Sequence, residues 1–423
     1  MEFRTLADWL LAFAYYYPLF MAWLWMIGAL YYRFHWERHS GRPDQPPVLD
    51  PAPGVSLLIP CFNEAEHIEE TIAYADRLDY PNYEIIAIDD GSTDETAQRL
   101  TELARRHSRL RVIQLEENSG KAQALRMGAL LARHEYLVCI DADAVLADHA
   151  LSWLVSHLVS SPRVAAVTGN PRIRNRSTLL GKIQVGEFSS LIGLIKRAQR
   201  IYGRIFTVSG VVTAFRRSAL HRVGYWSTDI ATDDIDISWR LQLDHWDIRY
   251  EPNALCWILM PETYTGLWRQ RLRWALGGVE TAVRYFPHLL TWRRRRMWPV
   301  MFEYLLSLTW SVVLAVVLVL WAVGKFAPLP EGLAVPSLIP GWNGVVLAGT
   351  CLLQFFVSLL LDSRYERGLL RHYFWIVWYP LAFWLINVLT NLVALPLGLI
   401  KGAGKSGRWE SPDRGLRDEE QPT

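Results

Sequence analysis

The sequence predicts an α/β domain with a parallel β-sheet, flanked on both sides by transmembrane α-helices. Two observations lead to this fold class. From Val55 onward, short apolar runs alternate with helical stretches whose apolar residues recur three and four positions apart, which is the pattern of βαβ units. On either side of this region, the chain carries apolar segments of about 20 residues, long enough to cross a bilayer as helices.

Composition argues against nucleic-acid binding. The 423 residues are 51% hydrophobic with a formal net charge of +2, whereas nucleic-acid-binding proteins concentrate a basic surplus on one face. The four cysteines form no C-x-x-C pair and fall in apolar segments. We expect buried, reduced thiols there.

Four apolar segments are predicted to span the membrane: residues 6–32, 298–323, 345–361 and 373–400. The first lacks a basic n-region and a cleavage site, so we interpret it as an anchor and not a signal peptide. The last contains polar residues, which predicts that it lies inside a bundle or against a partner. Basic flanks at RFHWERHSGR, TWRRRRMW and SRYERGLLRH predict a cytoplasmic middle domain.

We divide the chain accordingly. Residues 1–33 are the N-terminal transmembrane helix, and 34–54 are a linker rich in Pro and Gly. The α/β domain covers 55–260, an interfacial region covers 261–297, and three further spans cover 298–400. Residues 401–423 form a C-terminal tail, whose side of the membrane the mixed charges do not define.

Five strands are predicted in VSLLIP, YEIIAIDD, LRVIQLEE, YLVCIDAD and RVAAVTGNP. Helices are predicted between them in EAEHIEETIAYADRL, DETAQRLTELARRH, GKAQALRMGALLARH and DHALSWLVSHLV. The strands are continuous apolar runs, which is typical of parallel strands covered by helices on both faces.

Polar side chains follow three of these strands. Asn63 and Glu64 follow the first strand, Asp89 and Asp90 end the second, and D-A-D at 141–143 ends the fourth. Ligands of open α/β sheets bind outside the carboxyl ends of the strands. Converging carboxylates repel one another, so the pattern predicts a divalent cation, Mg²⁺ or Mn²⁺, on the acidic pair. A helix-capping role for Asp143 remains an alternative, because D-x-D also recurs by chance.

Two later segments carry further motifs. ATDDIDISWRLQ contains Thr232, Asp233 and Asp234, and YTGLWRQRLRWALGG contains a Q-x-x-R-W sequence. With Asp90 and D-A-D, these match, in order, the motif series of processive family 2 glycosyltransferases. Residues 55–286 and the flanking spans resemble that family, which implies a GT-A (Rossmann-like) fold. RQRLRWALGG and the absence of an extra domain are similar to the branch that synthesises poly-β-1,6-N-acetylglucosamine, a biofilm exopolysaccharide.

The resemblance implies a role for each motif residue. The donor would be UDP-N-acetylglucosamine, with a nucleotide pocket lined by Asn63, Glu64, Asp89 and Asp90, and with Lys121 near the phosphate or sugar. Asp141 and Asp143 would hold the metal ion. Departing UDP would be stabilised by Gln270, Arg271 and Arg273. Asp234 would be the general base of an inverting transfer, and the rest of the substrate site would be Thr232, Asp233, Ser209, Gly210 and Trp274.

Some alternatives remain open at this point. Lys121 also fits a solvated first-turn lysine, and Trp274 also fits an anchor at the membrane interface. Many relatives have Thr-Glu-Asp where this chain has Thr232-Asp233-Asp234, which shortens the reach of the middle carboxylate. Asp236 is interpreted as a residue that meets the dipole at a helix start.

The resemblance also implies partners. We expect a growing polysaccharide acceptor, the lipid bilayer of a bacterial inner membrane, and a small membrane subunit with cyclic diguanylate activation, for which the arginine run at 293–296 is a candidate site. That run also fits positive-inside topology. Residues 179–203 and 262–286 are predicted as helices on the membrane surface or packed on the domain. Rival functions are a cellulose, chitin or hyaluronan synthase, a lipid-linked sugar transferase, and an inactive transferase domain.

Overall fold

The computed structural model describes residues 5–338 and 341–401. The predicted C-terminal tail therefore lies outside the described residues, except for its first position. Eight strands form the central sheet. They are β1 (Val55–Cys61), β2 (Tyr83–Asp89), β3 (Leu110–Gln114), β4 (Tyr136–Ile140), β5 (Val145–Leu146), β6 (Val164–Ile173), β7 (Val212–Arg216) and β8 (Asp247–Ile258).

The helices follow the predicted alternation. Helix α1 (Leu6–His35) precedes the domain. The domain contains α2 (Ile68–Ala75), α3 (Thr96–Arg106), α4 (Lys121–Leu131), α5 (Ala150–Ser160), α6 (Leu179–Phe188), α7 (Lys196–Tyr202), α8 (Arg217–Val223) and α9 (Asp233–Leu243). The chain continues with α10 (Tyr264–Leu289), α11 (Trp298–Gly324), α12 (Gly341–Asp362) and α13 (Tyr379–Lys401).

The sheet has the order β3-β2-β1-β4-β7-β6-β8-β5. Its first four strands are parallel, as predicted, and every residue of β1 and β2 is buried because helices cover both faces. The prediction of an all-parallel sheet is wrong for the second half, since β7 runs antiparallel to both β4 and β6. Periodicity identifies a strand but does not define its direction. The fold is therefore a mixed α/β sheet, and the four cysteines are buried and free.

Three described helical segments are long and apolar enough to cross a membrane: Leu6–His35, Trp292–Gly324 and Asn343–Asp362. They correspond to three of the four predicted spans. The fourth is divided into a 3₁₀ helix, Leu369–Trp378, and α13. The apolar part of α13 described from Trp384 to Ile400 is shorter than a typical span, so the fourth crossing remains a prediction.

Residues 179–202 form one continuous helical unit. Helix α6 leads into a π-helical segment, Ser189–Ile195, and then into α7. Most of α6 is buried between the sheet and the C-terminal helices, with Gly186 against Ile376, and Gly193 of the π-helical segment lies against Asp362. The predicted helix is present, and its burial favours packing on protein over an exposed membrane-surface position.

A buried network of ion pairs joins the domain to two of the candidate membrane helices. The Arg172 guanidinium of β6 lies 2.6 Å from the Asp362 carboxylate at the end of α12. Arg197 of α7 donates to the same carboxylate at 2.9 Å and to Glu37, just after α1, at 2.6 Å. All four side chains are at most 3% exposed, so the network fixes the domain against two of the candidate spans.

Candidate active site

Asp90 lies immediately after β2 and is fixed by the loop that leads into α4. Its carboxylate accepts hydrogen bonds from the backbone N–H groups of Ser119, at 3.0 Å, and Gly120, at 2.8 Å. Gly120 has a φ of +92°, which favours glycine at this position. Burial raises the pKa of Asp90 and the two backbone donors oppose that rise. The carboxylate therefore has a defined position at the predicted nucleotide end of the sheet.

The loops after β1 and β2 form one continuous rim beside Asp90. The Asn63 backbone N–H donates to the Ser92 hydroxyl at 3.0 Å, and its side-chain oxygen accepts from the Thr93 N–H at 2.9 Å. Asp89 accepts from the Ser92 N–H at 3.3 Å, and Glu64 is buried beside these loops. The four residues predicted to line the nucleotide pocket therefore come together.

Lys121 connects this rim to the centre of the site. It begins α4, and its ammonium group donates to the Asp141 carboxylate and to the carbonyl oxygen of Gly210, the latter at 3.3 Å. Burial opposes its charge, but the carboxylates of Asp141, Asp233 and Asp234 raise the pKa of Lys121 above its usual range. The alternative of a solvated lysine does not hold.

The acidic pair after β4 has two different environments. The Asp141 side chain is 24% exposed and pairs with Lys121, whereas Asp143 is 8% exposed. Helix α5 is capped by His149 without a side-chain hydrogen bond, so Asp143 does not cap it. The described residues contain no group of three or more Asp, Glu, His or Cys side chains that could hold a metal ion. Two carboxylates suit a cation that completes its coordination with phosphate and water.

Asp234 lies in the first turn of α9 and faces the same centre. A Cβ atom added to Gly210 would lie 3.5 Å from an Asp234 carboxylate oxygen. Burial and the like charge of Asp233 raise the pKa of Asp234 to about 6, while Lys121 and Arg273 oppose the rise. Such a carboxylate is mainly ionised at neutral pH and is a better proton acceptor than an unperturbed one.

Asp236, two residues further along the first turn of α9, is buried. It accepts hydrogen bonds from the Tyr285 hydroxyl at 2.7 Å and from Arg240 at 2.8 Å. Tyr285 belongs to α10, the helix that carries Q-x-x-R-W. Asp236 therefore connects the two helices that carry the predicted catalytic residues, a role beyond the predicted contact with the helix dipole.

Helix α10 separates its two motif arginines. Arg273 is exposed on the side of Asp234, whereas Arg271 is 4% exposed and donates to Glu187 at 2.6 Å. The Arg271 guanidinium also lies 4.4 Å from the centre of the Trp274 ring. Its contacts orient the partly exposed indole of Trp274, and a phosphate contact for Arg271 remains a prediction. Gln270 lies beside Met260, with its side-chain oxygen buried and unpartnered among the described residues.

Motif recognition missed two buried charged residues, Glu187 and Lys196. Both belong to the helical unit at 179–202, where Glu187 lies within a largely apolar sequence and Lys196 directly follows one. A charged side chain in or next to an apolar helical sequence was the available signal. Charged side chains are almost never fully buried unless they are paired, so each of these residues indicated a buried partner.

A mixed α/β sheet with carboxylates at the ends of β2 and β4, facing a further carboxylate on α9, is the arrangement expected of a glycosyltransferase of the GT-A type, and it is joined here to apolar helices long enough to cross a membrane. Residues 52–277 match the family model described as "Glycosyltransferase like family 2". The chain therefore belongs to glycosyltransferase family 2, as its motifs predicted.

Curated relatives match nearly the whole chain. A poly-β-1,6-N-acetyl-D-glucosamine synthase from Staphylococcus epidermidis is 40% identical over 407 residues, which cover 95% of this chain and 98% of the relative. A synthase of the same name from Staphylococcus aureus strain COL is 39% identical over 404 residues, with the same coverage of both chains.

A solved structure has a similar fold. The mannosyltransferase PcManGT from Pyrobaculum calidifontis, determined with GDP-Man and Mn²⁺, superimposes with a TM-score of 0.59 at 21% sequence identity. The match covers 92% of this chain and 98% of the mannosyltransferase. It confirms the predicted GT-A fold.

Proposed function

We propose that this protein is a processive, inverting glycosyltransferase that polymerises N-acetylglucosamine from UDP-N-acetylglucosamine into β-1,6-linked poly-N-acetylglucosamine. The choice of N-acetylglucosamine is supported by the 40% identity, over 95% of the chain, to a synthase named for poly-β-1,6-N-acetyl-D-glucosamine. The cluster of Lys121, Asp141 and Asp234 supports the chemistry, because it brings a cation and two carboxylates to one centre.

The donor would bind along the edge of the sheet from β2 to β4. UDP would contact Asn63, Glu64 and Asp89, and the uracil ring would donate a hydrogen bond to Asp90. Asp141 and Asp143 would hold Mg²⁺ or Mn²⁺. When bound, such an ion neutralises the charge of a diphosphate leaving group. Lys121 adds a positive charge on the same side.

Transfer would occur between the metal site and α9. Asp234 would take the proton from the acceptor hydroxyl as its oxygen attacks C1 of the donor sugar. The bond from C1 to the diphosphate oxygen breaks, and UDP leaves with that electron pair. Displacement on the opposite face converts an α-linked donor into a β-linked product. Arg273 would stabilise the departing phosphates through its planar guanidinium.

The acceptor would stack on Trp274 and pass the loop of Ser209 and Gly210. The polymer would then cross the bacterial inner membrane beside the apolar helices, with the catalytic domain on the cytoplasmic side. Asn391 of α13 donates to Ser311 of α11 at 2.9 Å, so part of the polarity of the last helix is satisfied within the chain. A small membrane subunit and cyclic diguanylate activation remain part of the proposal, with the exposed arginine run before α11 as the candidate site.

Polymer formation in washed membranes tests the proposal. We would supply UDP-N-acetylglucosamine, UDP-glucose and UDP-glucuronate separately, with and without Mg²⁺, in membranes that also contain the partner and cyclic diguanylate. We expect metal-dependent polymer from UDP-N-acetylglucosamine alone, degraded by a β-1,6-specific hydrolase. Asp234→Asn should abolish it, whereas Asp244→Asn, at the far end of the same helix, should not.

The other outcomes identify the rival functions. Polymer from UDP-glucose would assign a cellulose-type synthase and overturn the proposed sugar. Failure with every donor, in a purified protein that also fails to bind UDP, would support the inactive-domain alternative.

A further inference from the structure

Lys196 is a buried lysine in the active site that the proposed mechanism does not use. It begins α7 directly after the π-helical segment, and it is 3% exposed. Its ammonium nitrogen lies 2.8 Å from the Ser209 hydroxyl and 3.1 Å from the Thr168 hydroxyl. No ion pair to this lysine occurs among residues 5–338 and 341–401. A buried lysine with only hydroxyl partners is expensive to maintain, which points to a functional role.

Ser209 connects this lysine to the centre of the site. Its backbone N–H donates to the Thr168 hydroxyl at 2.8 Å. The preceding residue, Val208, donates to the Ser238 hydroxyl at 2.9 Å, and Ser238 donates to the Asp234 carbonyl oxygen at 2.6 Å. The loop that carries Ser209 is therefore fixed to the helix that carries the general base.

A count of hydrogens identifies an unused donor. Because the Ser209 oxygen accepts a hydrogen bond from Lys196, its own hydrogen points elsewhere. Within the described part of the chain, no acceptor receives that hydrogen. The next residue, Gly210, has its carbonyl oxygen on Lys121 and its Cα beside the Asp234 carboxylate. The hydroxyl therefore lies next to the place where an acceptor sugar must present its attacking oxygen.

We propose that Lys196 is a positioning residue for the acceptor sugar: it orients and polarises the Ser209 hydroxyl, which donates a hydrogen bond to an oxygen of the terminal acceptor residue. This inference rests on the proposed function. A charged donor shortens and strengthens the hydrogen bond that it makes, and chains of such bonds polarise one another. The absence of a side chain at Gly210 leaves space for the sugar beside Asp234.

Binding of an acceptor tests this role without requiring polymerisation. We would titrate a β-1,6-linked N-acetylglucosamine oligosaccharide into the purified, UDP-bound protein by calorimetry. Burial lowers the pKa of Lys196 to about 7, against the opposing charge of Asp234. The titration is therefore run at about pH 6.5, where the lysine is mainly charged. The variants are Lys196→Met, Ser209→Ala and their combination, with Lys182→Met of α6 as a matched control.

We expect Lys196→Met and Ser209→Ala each to weaken oligosaccharide binding about tenfold, the effect of losing one hydrogen bond to a ligand. The double variant should bind no more weakly than Ser209→Ala, because the lysine acts through the serine. UDP affinity should stay within about twofold of the unmodified protein in every variant, and Lys182→Met should change neither affinity.

Additive losses in the double variant, or a parallel loss of UDP affinity, would overturn the inference. If Lys196→Met does not fold, the test rests on Ser209→Ala and Thr168→Val. Unchanged oligosaccharide affinity in both of these variants would also overturn the inference. Polymer formation is measured separately. A protein that makes no poly-N-acetylglucosamine but binds the oligosaccharide through Ser209 would contradict the proposed function and leave this role standing.

Discussion

At the scale of single residues, the environment of Asp234 determines the pH at which its carboxylate is protonated. Asp234 is half-buried beside Asp233, and its pKa rises to about 6 although Lys121 and Arg273 lie near. In the proposed role of general base, it must be ionised to act. We therefore expect kcat/KM to fall about tenfold for each pH unit below 6.

The neighbouring charge provides the test of that pH dependence. Asp233→Asn removes the like charge that helps to raise the pKa of Asp234, so the acidic limb of the pH–rate profile should move to lower pH. The measurement is kcat/KM for UDP-N-acetylglucosamine against pH in both proteins. An acidic limb that stays in place would assign it to another group.

The raised pKa of Asp234 also makes the stability of the folded protein depend on pH. Since the pKa of Asp234 is raised on folding, the protonated carboxyl is favoured in the native state. The stability that the protonated carboxyl contributes is fully present below its ordinary pKa of 3.8 and is lost as the pH rises through about 6. Asp234→Asn should therefore unfold at a higher temperature than the unmodified protein at neutral pH and show no such gain at about pH 4.

Motifs predicted some site residues, and only tertiary contacts identified others. Asp90, Asp141 and Asp234 follow from recurring patterns at strand and helix ends. Glu187 and Lys196 belong to no motif. Their helical unit brings Glu187 beside Arg271, 84 residues away in the chain, and Lys196 beside Ser209, 13 residues away. Sequence spacing cannot encode them, because they depend on how the helix packs against the sheet and α10.

At the scale of elements, α10 approaches its neighbours through two glycines. A Cβ atom at Gly277 would lie 2.0 Å from the Thr232 hydroxyl oxygen, and one at Gly278 would lie 2.6 Å from the Tyr304 hydroxyl. Each glycine inside a helix costs about 1 kcal/mol relative to alanine. The close approach offsets this cost by seating the Q-x-x-R-W helix against the residue that precedes Asp233 and Asp234.

Gly277→Ala tests this approach. The added methyl group must displace Thr232 and the start of α9, so we expect kcat to fall at least about tenfold through misplacement of Asp234. Gly349→Ala in α12 is the matched control, because nothing lies within 4 Å of that position. Its kcat should be unchanged. Equal activity in the two variants would show that α9 tolerates the shift.

Most of the elements of the domain could be predicted, but not their complete arrangement. Apolar runs and helical periods identified β1 to β4 and β6 because burial imposes those patterns. Strands β5, β7 and β8 were not predicted, and neither was the antiparallel direction of β7, since pairing and direction depend on contacts between distant segments. The π-helical segment before Lys196 also left no periodic signal.

At the scale of the whole molecule, charged residues hold the domain on its membrane helices. The Asp362 carboxylate of α12 forms ion pairs with both Arg172 and Arg197. Arg197 also pairs with Glu37, which follows α1. Glu366 adds a second carboxylate to Arg172 at 2.9 Å. Because apolar contacts alone are not directional, these pairs fix the orientation of the sheet relative to α1 and α12.

Asp362→Ala should therefore affect the whole molecule. It leaves two arginines buried without their shared carboxylate, and breaking a buried pair in this way costs about 3–5 kcal/mol. We expect a clear fall in the unfolding temperature of the purified protein in detergent. Glu102→Ala, which breaks the exposed pair with Arg106 in α3, should cost less than about 1 kcal/mol.

Donor hydrolysis and polymer elongation, measured in Asp362→Ala and Glu102→Ala, distinguish an effect on the orientation of the domain from an effect on the chemical step. Suppose that the network aligns the active site with the membrane helices. Folded Asp362→Ala protein should then still bind UDP at Asp90 and still hydrolyse the donor by transferring its sugar to water. It should elongate polymer more slowly, because the site no longer faces the path of the product. Glu102→Ala should retain both activities. An Asp362→Ala protein with an unchanged unfolding temperature and unchanged elongation would contradict this role of the network, and would leave apolar packing of α6 and α10 on the C-terminal helices as what aligns the domain.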